Sequence, residues 1–490
     1  MTKVLVKLNK IALDFGSYLL FDTDELEIKE SSRIGLIGEN GAGKSSLARL
    51  ILEEIKPTQG HIQLNTNNIG YLEQVSDNIP YDFNFDGRLL SELNIPYGTT
   101  EFSGGELSKL SILEVFSSHY DLLILDEPTS HLDKEGIEFL IRTIKNYDGA
   151  TLIISHDRRL LNECVNEIWS IEEQSIHVFS GNYDDYKKEI EKERESLYHQ
   201  KEIQDKEIKR LEASISDAKI HAEKILIGRK GADHRSLSSR MTKEKGTVQK
   251  GIMQSAKNMQ NRIDSMEEIK LPEEKVLPIF EEADIKTDHN RFPIIFNYID
   301  ITAGNKLLIE SLNLQISRGT ITALKGNNGT GKTTIIEYVK EAFNNKLDII
   351  TFSKNAELGF YNQLSYLEFK HRTEPLLEYV SKHTSVSKYL LKEMLKDLKF
   401  TDNDFERSIS TLSGGEAVRV SLFLTLISGN NVLILDEPTN YLDIDTINVL
   451  ETYLNTYPGT VLLTSHDEEF LENVADEVYK IENKKLKKIK

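Results

Sequence analysis

Cysteine and long apolar runs are what this sequence has least of. Cys164 is the one cysteine among 490 residues, which excludes a disulfide framework and a zinc site built from cysteines. No apolar run approaches the ~20 residues that a membrane-spanning helix requires, and residues 1–7 lack the apolar core of a signal peptide. We therefore expect a soluble, cytoplasmic protein that would serve a membrane only through a partner.

Positive charge is also in deficit. The chain carries 60 Lys and Arg residues against 79 Asp and Glu residues, which gives a formal net charge of −19. The protein as a whole should repel polyanions, so any contact with nucleic acid requires a local basic region. The length is sufficient for roughly two to four domains, each with its own core.

Two phosphate-binding loops of the pattern G-x-x-x-x-G-K-[ST] are the main feature that is present. They span residues 38–45 and 326–333, so their lysines are 288 residues apart. We infer that one nucleotide-binding domain has been built twice, at residues 1–182 and 291–490, because three further motifs recur at a common spacing of 310 residues. These motifs are Ser-Gly-Gly-Glu at 103–106 and 413–416, Leu-Asp-Glu-Pro-Thr at 125–129 and 435–439, and Ser-His-Asp at 155–157 and 465–467.

The residues around each loop predict an α/β fold. Short apolar runs at 33–37 and 320–324 precede the loops and are typical of buried strands, and a helical pattern follows each loop. Strand, glycine loop and helix is the arrangement in which this motif binds phosphate. The runs 122–125 and 432–435 end in Asp-Glu and indicate buried parallel strands.

A charged segment at residues 183–290 separates the two domains. Residues 184–218 are rich in Glu and Lys with spaced apolar positions, which predicts a long solvated helix, and residues 248–269 have a helical pattern again. Glycines and serines at 228–246 predict a break between the two helices. We expect an α-helical hairpin, and the alternative is a flexible charged linker.

Each loop supplies the groups that hold a triphosphate. Main-chain N–H groups at a helix N-terminus bind phosphate, Lys44 and Lys332 reach the β- and γ-phosphates, and a hydroxyl of each loop ligates Mg²⁺. The ATP-binding candidates in the loops are Gly38, Asn40, Gly41, Gly43, Lys44, Ser45 and Ser46, and Gly326, Asn328, Gly329, Gly331, Lys332, Thr333 and Thr334. The candidate Mg²⁺ ligands are Ser45 and Thr333 with the strand-end carboxylates Asp126 and Asp436.

Glutamates and histidines near the strand ends are the catalytic candidates. Glu127 and Glu437 follow the metal-binding aspartates directly and are placed to orient and polarise the attacking water. His156 and His466 follow apolar strands in the Ser-His-Asp motif, and we interpret them as γ-phosphate contacts. The alternatives are a strand-end ion pair for the carboxylates and a packing role for the histidines.

The two Ser-Gly-Gly-Glu motifs form a second surface for anions, because each precedes a helix. Each domain needs one such surface for its own nucleotide, so we infer that each lends its second surface to the other domain. The ATP-binding candidates of this kind are Ser103, Gly104, Gly105, Glu106, Ser413, Gly414, Gly415 and Glu416.

With these motifs together, the chain resembles the ATP-binding-cassette family over both domains. The resemblance implies an ATPase in which two ATP molecules are held head to tail between two α/β P-loop cassettes, joined by a long α-helical hairpin. It adds Gln74 and Gln363 to the ATP and Mg²⁺ ligands, and it implies that the loops 130–133 and 440–443 cross the interface. The implied assembly is a monomer with intramolecular pairing of its cassettes.

Two fused cassettes with a charged hairpin between them are similar to the ABC-F class, whose members bind the ribosome. The resemblance implies that the partner is the bacterial 70S ribosome, with the hairpin in the tRNA exit site near the P-site tRNA and 23S rRNA. It implies neither a membrane subunit nor DNA. The linker charge agrees, because residues 219–262 carry 11 Lys and Arg residues against three acidic ones. The candidate tip residues are Leu226, Ile227, Arg229, Lys230, His234, Arg235 and Arg240.

Within this class, the chain resembles the antibiotic-resistance proteins of the Vga, Lsa and Msr kind. Residues 74–103 leave no room for the arm that housekeeping members often insert, and residues 168–183 resemble the start of the linker in the resistance proteins. The resemblance implies protection of the ribosome from lincosamides, pleuromutilins and streptogramin A. The alternatives are a housekeeping ABC-F factor for stalled ribosomes, the ATPase subunit of a membrane transporter, and a DNA-repair ATPase.

Overall fold

Two compact units make up the chain. One unit joins Met1–Asp184 to Val276–Lys490, and the other consists of Asp185–Lys275. We call the two stretches of the larger unit the first half and the second half. The predicted domain boundaries at 182 and 290 remain predictions. The computed structural model of the protein describes residues 3–15, 18–73, 104–130, 132–227, 239–266, 269, 279–286, 288–304, 306–362 and 364–490.

Strands and helices alternate along both halves. The described strands, β1 to β18 in chain order, are Val4–Phe15, Tyr18–Lys29, Arg33–Gly38, Gln59–Leu64, Ile69–Leu72, Leu122–Asp126, Ala150–Ile154, Glu167–Glu172, Ser175–Ser180, Ile294–Ala303, Lys306–Ile316, Ile321–Lys325, Ile350–Phe352, Leu358–Tyr361, Val432–Asp436, Thr460–Thr464, Glu477–Glu482 and Lys485–Lys488. The described α-helices, α1 to α13, are Lys44–Ile51, Gly104–Ser117, Lys134–Lys145, Arg158–Cys164, Tyr183–Ile227, Ser239–Asp264, Ile279–Glu282, Lys332–Asn345, Leu376–Lys382, Lys388–Asp397, Gly414–Ile427, Ile444–Thr456 and Glu468–Val474. Short 3₁₀ helices lie at Ser365–His371, Asp404–Glu406 and Ile409–Thr411.

The same parallel core is present in each half. In the first half, β3 lies between β8 and β7, and β6 and β5 follow on the β7 side. In the second half, β12 lies between β17 and β16, and β15 and β14 follow in the same order. Every residue of β6 and β15 is buried, as the apolar runs predict for strands covered on both faces. The predicted α/β fold with two P-loop domains is confirmed.

This topology places the functional motifs at one edge of each sheet. The phosphate loops follow β3 and β12, the Asp-Glu pairs end β6 and β15, and the Ser-His-Asp motifs follow β7 and β16. These strands are neighbours and parallel, so their carboxyl ends lie side by side, which is where open α/β sheets bind ligands.

The smaller unit contains most of the long helix α5, of 45 residues, and all of α6, of 26 residues. Arg262 Nη2 lies 2.7 Å from Glu207 Oε1, and Ile215, Ala222 and Ala256 are buried. The predicted α-helical hairpin is therefore confirmed, although α5 ends later than predicted, at Ile227, and α6 both begins and ends earlier than predicted, at Ser239 and Asp264. At 1.5 Å per residue, α5 is about 68 Å long. In the parts of the chain that the structure describes, no helix is both long and apolar enough to cross a membrane.

The predicted break over 228–246 is wrong for its final part. Helix α6 begins at Ser239 and continues through Gly246. Residues 240–245 include Arg, Met, Lys and Glu, which favour helix, and one glycine inside a helix costs only about 1 kcal/mol. The helix-forming residues on both sides therefore outweigh the glycine.

Candidate nucleotide sites between the two halves

Left-handed glycines shape both phosphate loops. Gly43 has a φ of 103° and Gly331 a φ of 104°, and each is the residue before the helix that follows the loop. A Cβ on Gly43 would lie 2.9 Å from the Phe21 ring, so only glycine fits there. By contrast, a Cβ on Gly41 or Gly329 would meet no atom within 4 Å, so these loops face open space.

The two loop lysines are buried inside their own loops. Lys44 Nζ donates to the carbonyl oxygens of Gly38, at 2.7 Å, and Glu39, at 2.9 Å. Lys332 Nζ donates to the carbonyl oxygen of Gly326 at 2.8 Å and lies 3.0 Å from His466 Nε2. Burial lowers the pKa of both lysines. Burial disfavours the charged form of each ammonium group. An anion that enters the cleft would stabilise that charge.

Asp126 and Asp436 are buried at the ends of their strands. Asp436 Oδ1 accepts hydrogen bonds from Thr464 Oγ1 at 2.7 Å and from Thr333 Oγ1 at 3.3 Å. Asp126 Oδ2 accepts one from the Tyr71 hydroxyl at 3.3 Å. Burial raises the pKa of Asp126, while its hydrogen bond with Ser45 opposes that rise. In both sites, then, the hydroxyl of the phosphate loop and the strand-end carboxylate are already neighbours.

The next residue in each half has an unusual backbone. Glu127 has a φ of 48° and Glu437 a φ of 47°, a region that non-glycine residues seldom adopt. The main-chain N–H of Glu437 donates to Thr464, and Glu437 Oε2 accepts from the main-chain N–H of His466 at 3.1 Å. The strained conformation is thus held in place by hydrogen bonds, as is typical of functional sites.

Each glutamate faces the histidine of its own half. His466 Nε2 lies 3.3 Å from Glu437 Oε1, and His156 Nε2 lies 3.4 Å from Glu127 Oε1, but the angles are not those of hydrogen bonds. Burial raises the pKa of Glu437 to about 7, and Lys332 opposes that rise. Burial and Lys332 lower the pKa of His466 to about 4. The histidine is therefore neutral at pH 7, and its Nε2 can accept a hydrogen bond from the Lys332 ammonium group.

The first site shows the same directions. Burial raises the pKa of Glu127, and burial with the Lys44 charge lowers that of His156. Among the described residues, Glu127 Oε1, Glu437 Oε1 and both ring nitrogens of His156 are buried without a hydrogen-bond partner. Buried polar atoms of this kind usually form a hydrogen bond or a coordination bond with a ligand, a water or an ion. The donors and acceptors present therefore fit a metal-bound triphosphate with an attacking water.

Contacts between the halves are reciprocal. The main-chain N–H of Asn40 donates to Asp443 Oδ2 at 3.2 Å, and that of Asn328 donates to Asp133 Oδ2 at 3.4 Å. Asn40 Nδ2 also donates to the carbonyl oxygen of Tyr441 at 3.0 Å. Each phosphate loop thus touches the loop that follows the Asp-Glu motif of the opposite half.

The second Ser-Gly-Gly-Glu motif lies opposite the first phosphate loop. Ser413 caps α11, with its hydroxyl accepting from the Glu416 N–H and its own N–H donating to Glu416 Oε2 at 2.7 Å. A Cβ on Gly415 would lie 3.7 Å from Asn40 Nδ2. The motif of one half and the loop of the other therefore form one continuous surface.

One cleft of about 1590 Å³ contains most of the predicted site residues of both halves. The predicted residues that line it are Asn40, Gly41, Gly43, Lys44, Ser45, Ser46, Glu106, Asp126, Glu127, His156, Asn328, Gly329, Gly331, Lys332, Thr333, Thr334, Ser413, Gly415, Glu416, Glu437 and His466. Gly38, Gly326, Gly414 and Asp436 are not in this lining, but each is a sequence neighbour of a residue that is. Gly104 and Gly105 begin α2.

Some predicted residues lie outside the described part of the chain. These are Gln74, Ser103 and Gln363 of the predicted nucleotide sites, and Arg229, Lys230, His234 and Arg235 of the predicted hairpin tip. Leu226 and Ile227 end α5 and Arg240 lies in the first turn of α6, but their side chains are outside the description as well. The roles assigned to these residues remain predictions.

Sequence reasoning missed three residues that contact site residues or cross between the halves. Lys109 Nζ pairs with the buried Asp133 at 3.1 Å. Tyr71 contacts Asp126, and the buried Arg158 reaches across to the second half. One signal was available: Arg158 follows the first Ser-His-Asp motif, whereas Glu468 occupies the equivalent place in the second copy. A charge reversal inside a repeat marks a position where the copies have different partners.

Comparison with known families places both halves and the linker. A family model described as an ABC transporter matches residues 21–95 and 309–440, and a second model with the same description matches residues 169–280. The erythromycin resistance ATP-binding protein MsrA of Staphylococcus epidermidis is 35% identical over 487 residues, which cover 98% of each chain. The ribosome protection protein VmlR of Bacillus subtilis is 31% identical over 501 residues, covering 99% of this chain and 88% of its own.

Solved structures agree at the level of the fold. The chain is similar to an archaeal ribosome recycling factor, aABCE1, solved with the stalk protein aP1, with a TM-score of 0.61 and 17% identity over 96% of this chain and 87% of the other. The RNase-L inhibitor gives a TM-score of 0.60 at the same identity and coverage. The family predicted from the motifs is thus confirmed: the chain belongs to the ATP-binding-cassette family, in its ABC-F class.

Proposed function

We propose that the protein is an ATPase that protects the bacterial ribosome from antibiotics of the peptidyl-transferase centre. The observation that carries the proposal is the reciprocal contact of Asn40 with Asp443 and of Asn328 with Asp133. A nucleotide in such a cleft would touch both halves and so stabilise their closed pairing. The relatives named for erythromycin resistance and ribosome protection support a ribosomal target.

The cleft residues divide the work of hydrolysis. Bound Mg²⁺ and ATP would supply the electrophilic γ-phosphate and offset its charge. Lys44 and Lys332 bind phosphate oxygens, and the metal ligands would be Ser45, Gln74, Asp126, Thr333, Gln363 and Asp436. Glu127 and Glu437 orient the attacking water and take its proton at Oε1, which has no hydrogen-bond partner among the described residues.

The hairpin would bind the ribosome when the two halves are closed. Its basic residues, between Lys219 and Arg262, would neutralise RNA phosphates in a protein that is otherwise acidic. We place the hairpin in the tRNA exit site, with its tip toward the P-site tRNA and 23S rRNA. In this proposal the protein acts in the cytoplasm as a single chain, and hydrolysis releases it from the ribosome.

Two groups of drugs are candidates. The resemblance of the linker start favours lincosamides, pleuromutilins and streptogramin A. The relative named for erythromycin resistance favours a macrolide, because the similarity extends over 98% of both chains.

The direct test is expression in a susceptible bacterium, with inhibitory concentrations measured for one member of each drug class. We expect the concentration to rise for at least one drug, and to stay at the vector level when Lys44 and Lys332 are both replaced by alanine. No rise for any of the tested drugs would contradict ribosome protection and favour the housekeeping alternative.

A further inference from the structure

Arg158 is a buried cation that crosses from the first half to the second. It is the first residue of α4 and directly follows His156 and Asp157 of the first site. Only 3% of its side chain is exposed, and Nη1 lies 2.9 Å from Glu469 Oε1 and 3.2 Å from Glu451 Oε1. Its Nη2 donates to Asn448 Oδ1 at 2.7 Å. Three bonds from one guanidinium fix its position more tightly than a surface ion pair could.

Helix α12 links these partners to the nucleotide cleft. Its N-cap is Asp443, which accepts the N–H of Asn40 in the first phosphate loop. Asn448 and Glu451 lie on the same helix, roughly 8–12 Å farther along its axis. A displacement of Asp443 would therefore be carried along the same helix to the partners of Arg158.

Arg158 also meets the start of the hairpin. Tyr183, the first residue of α5, is buried, and its hydroxyl interacts with the Arg158 guanidinium. A second residue of α4 holds the next position: Asn162 Oδ1 accepts the N–H of Asp184 at 2.8 Å, and Asn162 Nδ2 donates to Asp184 Oδ1 at 2.9 Å. The short helix that follows His156 thus binds the first two residues of α5.

The chain that leaves the hairpin is tied to the same helix. Ile279 of α7 is fully buried, and the ring of Phe280 packs edge-on against Tyr453 and Tyr457 at centroid distances of 6.0 Å and 5.3 Å. Tyr453 belongs to α12 and Tyr457 directly follows it. One helix therefore contacts the cleft at its beginning, Arg158 in its middle and the hairpin's return at its end.

We propose that Arg158 is a positioning residue that couples closure of the nucleotide cleft to the base of the hairpin, through α12 on one side and Tyr183 on the other. The inference rests on the proposed function, because it takes nucleotide binding as the event that closes the cleft. It adds the route by which closure reaches α5.

The test measures closure and hairpin response separately in the full-length protein. Cys164 is buried, so dyes can be attached to cysteines introduced at the exposed Lys56 and Lys340, one on each half. Energy transfer between the dyes then reports closure by a non-hydrolysable ATP analogue. Hydrogen exchange at the amides of residues 186–195 reports the base of α5.

Three variants separate the outcomes. Tyr183→Phe keeps the ring and removes only the hydroxyl, Arg158→Met removes the charge, and Lys134→Met removes a different contact between the halves, the 3.0 Å pair with Glu468. We expect the analogue to close every variant at saturation. It should slow exchange at 186–195 in the natural protein and in Lys134→Met. The slowing should be about tenfold smaller in Arg158→Met and Tyr183→Phe, because a hydrogen bond to a charged group contributes about that factor.

Two results would overturn the inference. If both Arg158→Met and Tyr183→Phe keep the natural slowing, Arg158 is only a contact between the halves. If the natural protein closes but its hairpin base does not respond, there is nothing to couple. A natural protein that fails to close with the analogue would instead contradict the proposed function itself, and the coupling with it. Should Arg158→Met not fold, Tyr183→Phe alone decides.

Discussion

At the scale of single residues, Glu127 and Glu437 combine burial with a strained backbone. Their φ values of 48° and 47° aim the carboxylates at the histidines of the same halves. Burial raises the pKa of Glu437 from 4.5 to about 7. A carboxyl group with that pKa can both accept and release a proton near neutral pH, which suits a general base.

Replacing Glu437 by Gln should therefore slow hydrolysis while leaving nucleotide binding intact. A positioned general base contributes about a hundredfold or more to a rate, and the same change at Glu127 should affect the first site in the same way. Phosphate release by the double variant should fall by at least about that factor, with ATP affinity from equilibrium binding unchanged. Near-natural turnover would contradict the roles of both glutamates.

The same residue should limit stability at alkaline pH. The folded protein binds a proton at Glu437 that the unfolded chain releases between pH 4.5 and about 7, so stability falls as the pH rises through that window. Glu437→Gln removes this penalty, and we expect it to raise the melting temperature of the nucleotide-free protein more at pH 8 than at pH 5. The exposed Glu472→Gln is the control and should change neither value much. An equal effect of Glu437→Gln at both pH values would contradict the raised pKa.

At the scale of elements, the sequence predicts buried strands and phosphate loops well. The runs that form β6 and β15 are apolar throughout, and both strands are buried along their whole length. Such runs have few alternative structures, and glycine loops with left-handed φ angles have fewer still. Hairpin ends are harder to predict, because the helices are solvated and many positions accept either helix or turn.

Contacts between elements that are distant in the sequence could not be predicted from local sequence patterns. Arg158 contacts Glu451 and Glu469, which are 293 and 311 residues away in the sequence, on elements whose relative placement no periodicity encodes. The charge reversal between Arg158 and Glu468 marks the residue after the Ser-His-Asp motif as unusual, but it does not identify the partners of Arg158. The residues of the cleft could thus be predicted from motifs, whereas the contacts of Arg158 with the second half are visible only in the folded structure.

Two glycine substitutions should differ in outcome, because one glycine lies inside a helix and the other has a left-handed backbone in a phosphate loop. Gly251 lies inside α6, and a Cβ there would meet no atom within 4 Å. Gly251→Ala should stabilise α6 by about 0.5–1 kcal/mol, seen as exchange of its amides about two- to fivefold slower. Gly43→Ala should instead weaken ATP binding, because its φ is 103° and its Cβ would press on Phe21. Unchanged amide exchange in α6 of Gly251→Ala, or intact ATP binding by Gly43→Ala, would contradict these assignments.

At the scale of the whole molecule, the two halves are copies in fold but carry opposite charges over one part of the surface where they meet. Elsewhere the signs are reversed, because Glu39 of the first half pairs with Lys399 of the second. The first half contributes Lys134, Arg158 and Arg159, and the second contributes Glu451, Glu468 and Glu469. Two identical halves would place like charges together, which costs energy. The pattern therefore favours pairing of the first half with the second over pairing of like halves.

Exchanging one pair of charges tests this complementarity. Arg158→Glu and Glu469→Arg should each lower the melting temperature, and the double variant should recover part of the loss. Residues in direct contact commonly show coupling energies of about 0.5–3 kcal/mol, which a double-mutant cycle of thermal unfolding would measure. Losses that simply add would contradict a specific contact between these side chains.

The central claim is that nucleotide closes the two halves and that the closed form binds the ribosome. Its most direct measurement is sedimentation of the Glu127→Gln/Glu437→Gln protein with purified bacterial ribosomes at near-physiological salt. The account predicts that the protein sediments with ribosomes in ATP and stays in the supernatant in ADP. Protein that remains in the supernatant under both conditions would contradict it.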